Sequence, residues 1–301
     1  MNDTQRARVV SIGKNVAWIV LDVEHVPRLA TLKRMSGKRR MLAPGDVVEA
    51  RLLEDGSALV ESVEPRSFTL ERRTSDGRGK TMAANVDTMV TVTAFANPPP
   101  RLTTLDQLLA FAEMESIAPM LLFTKPDLAT ETERHTLETL YRGLGYTTLA
   151  INPKSGEGVE DLRLALIGRS ALLCGVSGVG KSSIFRALGG DAVVGALSRH
   201  GLGKQTTSAA RLYRLESGFL IDSPGMAEFG LGIIGPPELA EAFPEMRTPS
   251  KGCRFNDCTH LHEPGCGVLE ALERGEIAPS RYASFRRILG APERLDRADP
   301  V

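Results

Sequence analysis

Short runs of alternating apolar and polar residues open the chain: Arg8 to Ile12, Ala17 to Asp22, Asp46 to Leu53 and Ala58 to Val63. Turn signals such as Pro44-Gly45-Asp46 and Asp55-Gly56 separate them, which predicts a small all-β barrel. An OB-fold is the expected version, because such barrels bind nucleic acid with loops and one strand face. A polar, Arg-rich stretch from Pro65 to Lys80, with Arg66, Arg72, Arg73 and Arg78, predicts a connector. From Val86 the pattern changes to apolar strands alternating with amphipathic helices, the signature of a parallel sheet covered by helices. Val86 to Phe95 and Met120 to Phe123 are the expected strands, and Leu102 to Met114 and Thr132 to Leu144 the expected helices. Beyond Gly235 a Pro-rich linkage leads to a cysteine cluster and a helical tail through Tyr282 and Leu289, a region too small to carry a core unaided. The expected units are a barrel at 1–66, a linker at 67–80, an α/β domain at 81–235 and a small C-terminal domain at 236–301.

The 301 residues are 42% hydrophobic, enough for more than one core. Lys+Arg and Asp+Glu both total 37, so overall charge points to no nucleic-acid partner, and any basic surface must be local. Lys33, Arg34, Lys38, Arg39 and Arg40 form such a cluster around Gly37. No apolar run approaches the roughly 20 residues needed to span a bilayer, and Met1 to Arg6 lack an apolar signal core. A soluble, cytoplasmic protein with no membrane association is expected, with nothing to signal an obligate oligomer, hence a monomer.

The strongest chemical signal is Gly175-Val176-Ser177-Gly178-Val179-Gly180-Lys181-Ser182, followed by Ser183. It lies between the apolar run Ala171-Leu172-Leu173-Cys174 and a helix carrying Ile184, Phe185 and Leu188. In this strand-loop-helix setting the glycines let backbone N–H groups wrap phosphates, Lys181 reaches the outer phosphates and Ser182 coordinates Mg²⁺. Downstream, Asp222-Ser223-Pro224-Gly225 closes the run Phe219-Leu220-Ile221, putting a carboxylate near the Mg²⁺ shell and the Gly225 N–H near a γ-phosphate. Between them, Gly203-Lys204-Gln205-Thr206-Thr207 supplies hydroxyls for the metal, with Thr207 favoured over Thr206 as Mg²⁺ ligand.

Base recognition lies upstream rather than downstream of these motifs. Thr124-Lys125-Pro126-Asp127 ends the apolar run Leu121-Leu122-Phe123 and looks like the N-K-x-D guanine motif, with Asp127 accepting from guanine N1 and N2. Asn152-Pro153-Lys154-Ser155-Gly156-Glu157-Gly158 follows in the position of the second guanine loop. The order base, base, P-loop, switch, switch is a circular permutation, which can rebuild one site because domain termini are commonly adjacent. The expected fold is thus a permuted P-loop G domain with an N-terminal OB barrel and a C-terminal zinc-binding helical domain.

Cys253, Cys258 and Cys266 stand with a histidine in a pattern that can close a structural Zn²⁺ site, one ion per chain. Spacing leaves His260 and His262 both open as the fourth ligand. Cys174, in an apolar strand, is expected to be an inert core residue.

The barrel, the permuted motifs and the Cys-x4-Cys-x-His-x5-Cys cluster together resemble the ribosome small-subunit-dependent GTPase (RsgA) family over nearly the whole chain. Ala84-Asn85-Val86-Asp87, Phe255-Asn256-Asp257-Cys258-Thr259-His260 and Arg281-Tyr282-Ala283-Ser284-Phe285 are further stretches similar to that family. The resemblance implies GTP hydrolysis to GDP on the small ribosomal subunit late in its assembly, barrel and zinc domain contacting ribosomal RNA, and His260 as zinc ligand. Three departures stand out. The family's Asn is Thr124 here, so an amide that contacts the base and braces the P-loop is missing; Pro153 has no N–H for guanine O6. Gln205 stands where the family has a His; with Met226 unable to orient water, Gln205 is the candidate to do so. The alternative reading is a nucleotide-regulated RNA-binding assembly factor with weak or relaxed hydrolysis.

Overall fold

The computed structural model describes residues 4–13, 16–22, 27–32, 42–73, 79–189, 211–215, 218–222 and 234–290. The basic cluster at 33–40, the 203–207 segment, Ser223 to Gly225 and the tail from 291 lie outside the described residues.

Five strands close the N-terminal barrel in the order β1-β2-β3-β5-β4: β1 Thr4–Ile12, β2 Val16–Leu21, β3 Arg28–Leu32, β4 Val47–Leu52 and β5 Ala58–Val63. Neighbours are antiparallel except β3 with β5, which run parallel. Ala7, Val9, Ala17, Ile19, Leu21, Ala30, Val48, Ala50, Ala58 and Val60 fill the interior. Small alanines among larger β-branched residues suit so narrow a barrel.

The stretch expected as a connector holds a hairpin instead. β6, Thr69–Arg73, pairs antiparallel with β7, Gly79–Ala84, placing Leu70 opposite Ala83. Leu70, Met82 and Ala83 are buried with barrel residues Val10 and Trp18 and with Met89 of the next domain. One apolar residue amid arginines makes no legible alternation, yet it anchors the strand. The barrel is stitched on here: the guanidinium of Arg66 donates to buried Asp46 at 2.7 and 2.9 Å, and Asn85, at φ 56°, donates to the Gly45 carbonyl at 3.0 Å. Gly45 itself, at φ +95°, has no room for a Cβ, which would stand 2.1 Å from the Ala84 oxygen.

The central sheet has six strands in the order β10-β9-β8-β11-β13-β12. They are β8 Thr88–Ala94, β9 Ala118–Thr124, β10 Thr147–Ile151, β11 Ser170–Cys174, β12 Arg211–Leu215 and β13 Gly218–Asp222. All pairings are parallel except β12 with β13, so the expected parallel sheet carries one antiparallel edge strand. Helices α1 Leu102–Met114, α2 Glu131–Gly143, α3 Val159–Ala165 and α4 Lys181–Ala187 connect the strands. A capping box between Thr130 and Glu133 fixes the start of α2.

The C-terminal module comprises α5 Pro236–Glu241, α6 Arg247–Ser250, α7 Gly267–Glu273 and α8 Pro279–Ile288. Its core of Leu239, Phe243, Met246, Val268, Ile277 and Phe285 also takes in Ala110 of α1. Arg281 of α8, 1% exposed, donates to Asp106 of α1 and to Glu245 at 2.7 Å, and lies 4.4 Å from the Phe243 ring centroid. The Tyr141 hydroxyl donates to the same Asp106 at 2.8 Å, and Arg247 reaches Glu113 of α1 at 2.6 Å. Burial opposes the Arg281 charge, but the two carboxylates outweigh it and raise its pKa.

Arg281→Ala strands two buried carboxylates, so it should lower unfolding free energy by about 3–5 kcal/mol. Urea denaturation measures this, and a loss under about 1 kcal/mol would show that solvent replaces the guanidinium.

Candidate nucleotide site and metal centre

Strands β8, β9, β10, β11 and β13 all point their carboxyl ends to one edge of the sheet, and the expected nucleotide motifs gather there. Gly175, at φ +145°, follows β11 so closely that a Cβ would lie 2.3 Å from the Val92 oxygen. Gly178 and Gly180 also have positive φ, and Gly180 immediately precedes α4. Val179 is buried in the sheet's core, Val176 packs partly against it, and Ser177 and Ser183 continue the loop and first helical turn. Lys181 is half-buried and its Nζ donates to the carbonyls of Gly175 at 2.5 Å and Val176 at 2.9 Å. Burial lowers its pKa, and the charge of Asp222, at the end of β13, opposes that shift. Ser182 is exposed at the start of α4.

Thr124 ends β9 and is 1% exposed. Its hydroxyl donates to the Val179 carbonyl at 2.6 Å and lies 3.3 Å from the Thr93 carbonyl. The brace on the P-loop, expected to be missing without Asn, is therefore present: a hydroxyl on the β9 terminus is close enough to do it. Lys125, in the left-handed region at φ 56°, extends its ammonium to the carbonyls of Asn97 and, at 2.9 Å, Gly178. Pro126 begins the short 3-10 turn that presents Asp127 to solvent.

Asp127 Oδ1 accepts a 2.9 Å hydrogen bond from Asn152 Nδ2. Asn152 Oδ1 in turn accepts from the Lys154 N–H at 3.1 Å, so its amide plane is fixed from both sides. Asn152 was legible only as part of a loop; its position directly after β10, beside β9, is the signal that it faces Asp127. Gln205, Thr207 and Gly225 lie outside the described residues.

The metal-type cluster is drawn together by the C-terminal module. One ligand atom from each of Cys253, Cys258, His260 and Cys266 lies within 4.8 Å of the others. A tetrahedron with M–S of about 2.3 Å and M–N of about 2.0–2.1 Å has S···S edges near ~3.8 Å and S···N edges near ~3.6 Å. The Cys253–Cys266 sulfurs are 3.9 Å apart, and His260 Nδ1 is 3.5 Å from each. The set fits a metal ion. His260 is buried and takes a left-handed backbone, φ 61°, whereas His262 is exposed, so the geometry selects His260. Burial lowers the His260 pKa, keeping the ring neutral, and pushes the Cys258 thiol up to about 12. Glu263, which spacing did not single out, accepts from the N–H groups of Thr259 at 2.9 Å and of Leu261 and His262 at 3.2 Å, folding the loop that carries His260. Cys174 is wholly buried and burial pushes its thiol far up, which makes it inert. Among the described residues no helix is long and apolar enough to cross a membrane.

A P-loop on the central strand, a strand-end carboxylate held beside it and base-side elements that precede the P-loop in sequence define a circularly permuted GTPase. The RsgA GTPase family model matches residues 63–232. "Small ribosomal subunit biogenesis GTPase RsgA" of Ectopseudomonas mendocina is 42% identical over 257 residues, covering 83% of this chain and 75% of its own length. The like-named protein of Azotobacter vinelandii is 41% identical over 257 residues, with the same coverage of 83% and 75%. YjeQ from Thermotoga maritima superposes with a TM-score of 0.76 at 31% identity, over 96% of this chain and 98% of its own. YloQ, described as a circularly permuted GTPase, shares the fold with a TM-score of 0.73 at 23% identity, over 96% and 94%. The chain belongs to the RsgA GTPase family and is a GTP hydrolase.

Thr124→Val removes a buried hydroxyl and leaves the Val179 carbonyl without its donor, so stability should fall by about 1–3 kcal/mol. Nucleotide affinity should fall with it, and calorimetric titration with GDP checks this. Cys258→Ser should abolish stoichiometric metal content and lower the melting temperature, read by elemental analysis and a thermal scan; retained metal would mean that the fourth ligand lies elsewhere.

Proposed function

We propose that this chain binds the small ribosomal subunit late in its maturation and hydrolyses GTP to GDP and phosphate there. The observation that carries the reading is Asp127, fixed by Asn152 at the strand end next to a complete P-loop. A phosphate cradle beside an oriented acceptor suits a guanine nucleotide, and the curated relatives are named for small-subunit biogenesis. The backbone of 175–183 wraps the phosphates, while Lys181 exchanges the Gly175 and Val176 carbonyls for phosphate oxygens. Ser182 and Thr207 would hold Mg²⁺, with Asp222 close by, and the bound ion would supply charge neutralisation to the phosphates. The Gly225 N–H meets the γ-phosphate, and Gln205 orients the attacking water. Asp127 accepts from guanine N1 and N2, and Lys125 covers the site across Gly178. Three cysteine sulfurs and an imidazole within 4.8 Å of one another are a soft donor set that suits Zn²⁺ over harder cations, one ion per chain. The partners are the subunit and its ribosomal RNA, met by the barrel and the zinc module of a cytoplasmic monomer.

Turnover of GTP and ATP by the purified protein, with and without small subunits and with Lys181→Ala as blank, tests this. Stimulation confined to GTP is expected; equal use of ATP would refute guanine selection by Asp127. Gln205→Ala should lower stimulated turnover roughly tenfold or more, because positioning of the attacking group carries much of such barriers.

A further inference from the structure

The barrel touches the nucleotide-binding sheet at a mechanically sensitive place. β12 ends the strand order and, in sequence, comes shortly after Gln205-Thr206-Thr207; its partner β13 ends at Asp222, where Asp-Ser-Pro-Gly begins. This hairpin therefore joins the two segments read above as sensors of the γ-phosphate. Arg214 of β12 donates from Nη1 to the Leu21 carbonyl at 2.9 Å and from Nη2 to the Asp22 carbonyl at 2.7 Å, both at the end of barrel strand β2. From the barrel side, the Arg8 guanidinium lies 4.4 Å from the centroid of the Phe219 ring of β13 and donates to Ser170 at 3.4 Å. Arg214 is 5.8 Å from the same ring, so guanidinium groups from both domains flank Phe219. Beneath them, Trp18 of β2 shares one buried cluster with Leu212 of β12 and Ile221 of β13.

We propose that Arg214 is a positioning residue that locks the switch-bearing hairpin to the barrel, so that whatever holds the barrel also sets the γ-phosphate sensors. The inference rests on the reading of 203–207 and 222–225 as switches. A planar guanidinium donating to two successive carbonyls fixes both distance and direction, which a single ammonium does not. β12 is an edge strand, paired in the sheet with β13, so its fork onto the barrel is a second, independent restraint on its position. A partner bound to the barrel can then favour one switch arrangement by favouring one position of Leu21 and Asp22, and by linkage the nucleotide alters the barrel in return.

Trp18 is the only tryptophan in the chain and reports on this seam without a label. Its emission should differ between GDP and a non-hydrolysable GTP analogue in the full-length protein. Arg214→Ala should remove most of that difference and cut small-subunit stimulation by about tenfold, while basal turnover stays within about twofold. Arg214→Lys, which keeps the charge and stem, serves where the alanine variant does not fold, and should show an intermediate response. An unchanged nucleotide response in both variants, or none in the parent protein, overturns the proposal. A nucleotide response that needs Arg214, in a protein that small subunits do not stimulate, would instead refute the ribosomal reading and leave the coupling standing.

Discussion

The parallel pairing of β8 with β11 is the constraint on which the rest depends. Ala171 to Cys174 register against Thr88 to Thr91, although the strands are separated by the whole base-recognition half of the domain. That register brings the P-loop against Val92, where only glycine fits at 175. It also sets Thr124, on the next strand out, against Val179. The two halves of a permuted order thus meet through backbone hydrogen bonds, and the phosphate and base sides of the site are held by the same sheet.

Charged groups stand beside apolar clusters at the places where the three parts of the chain meet. Arg66, paired with Asp46 and donating to the Thr81 hydroxyl of β7 at 3.5 Å, ties the barrel to the hairpin, Arg214 ties it to the sheet edge, and Arg281 with Asp106 and Glu245 ties the C-terminal module to α1. A buried ion pair broken by a shift leaves uncompensated charge, which adds a directional penalty to the loss of packing. A device that must transmit position between parts benefits from joints of this kind. A metal ion held by Cys253, Cys258, His260 and Cys266 would serve the same end locally, ordering a segment with few apolar residues of its own.

Much of this was legible because the signals are local. The P-loop, the strand-end aspartate and the cysteine spacing are read from neighbours in sequence, and α1 runs over the span that its periodicity predicts. What escaped depends on tertiary distance. The Thr124 brace needs a carbonyl that is 55 residues away, and no substitution pattern announces that a hydroxyl will reach it. The β6–β7 hairpin hides behind arginines, and β3 and α3 are too short for a period to emerge. Arg281 lies in a stretch that resembles the family, but its role was not legible, because a buried arginine has no signature until its acidic partners are known. His260 was separated from His262 by the resemblance, and the fold supplies the physical reason through burial and backbone turn.

Arg281 and Asp106 are 175 residues apart, and this has a consequence for biosynthesis. While the chain is being made, α1 leaves the exit tunnel long before α8 exists, so Asp106 must wait, hydrated, on an unfinished surface. The nucleotide-binding sheet can assemble meanwhile, but the face of α1 that receives the C-terminal module stays open until α8 arrives. A chain lacking α8 therefore leaves Asp106 without its guanidinium partner and the Ala110 face of α1 short of its cover.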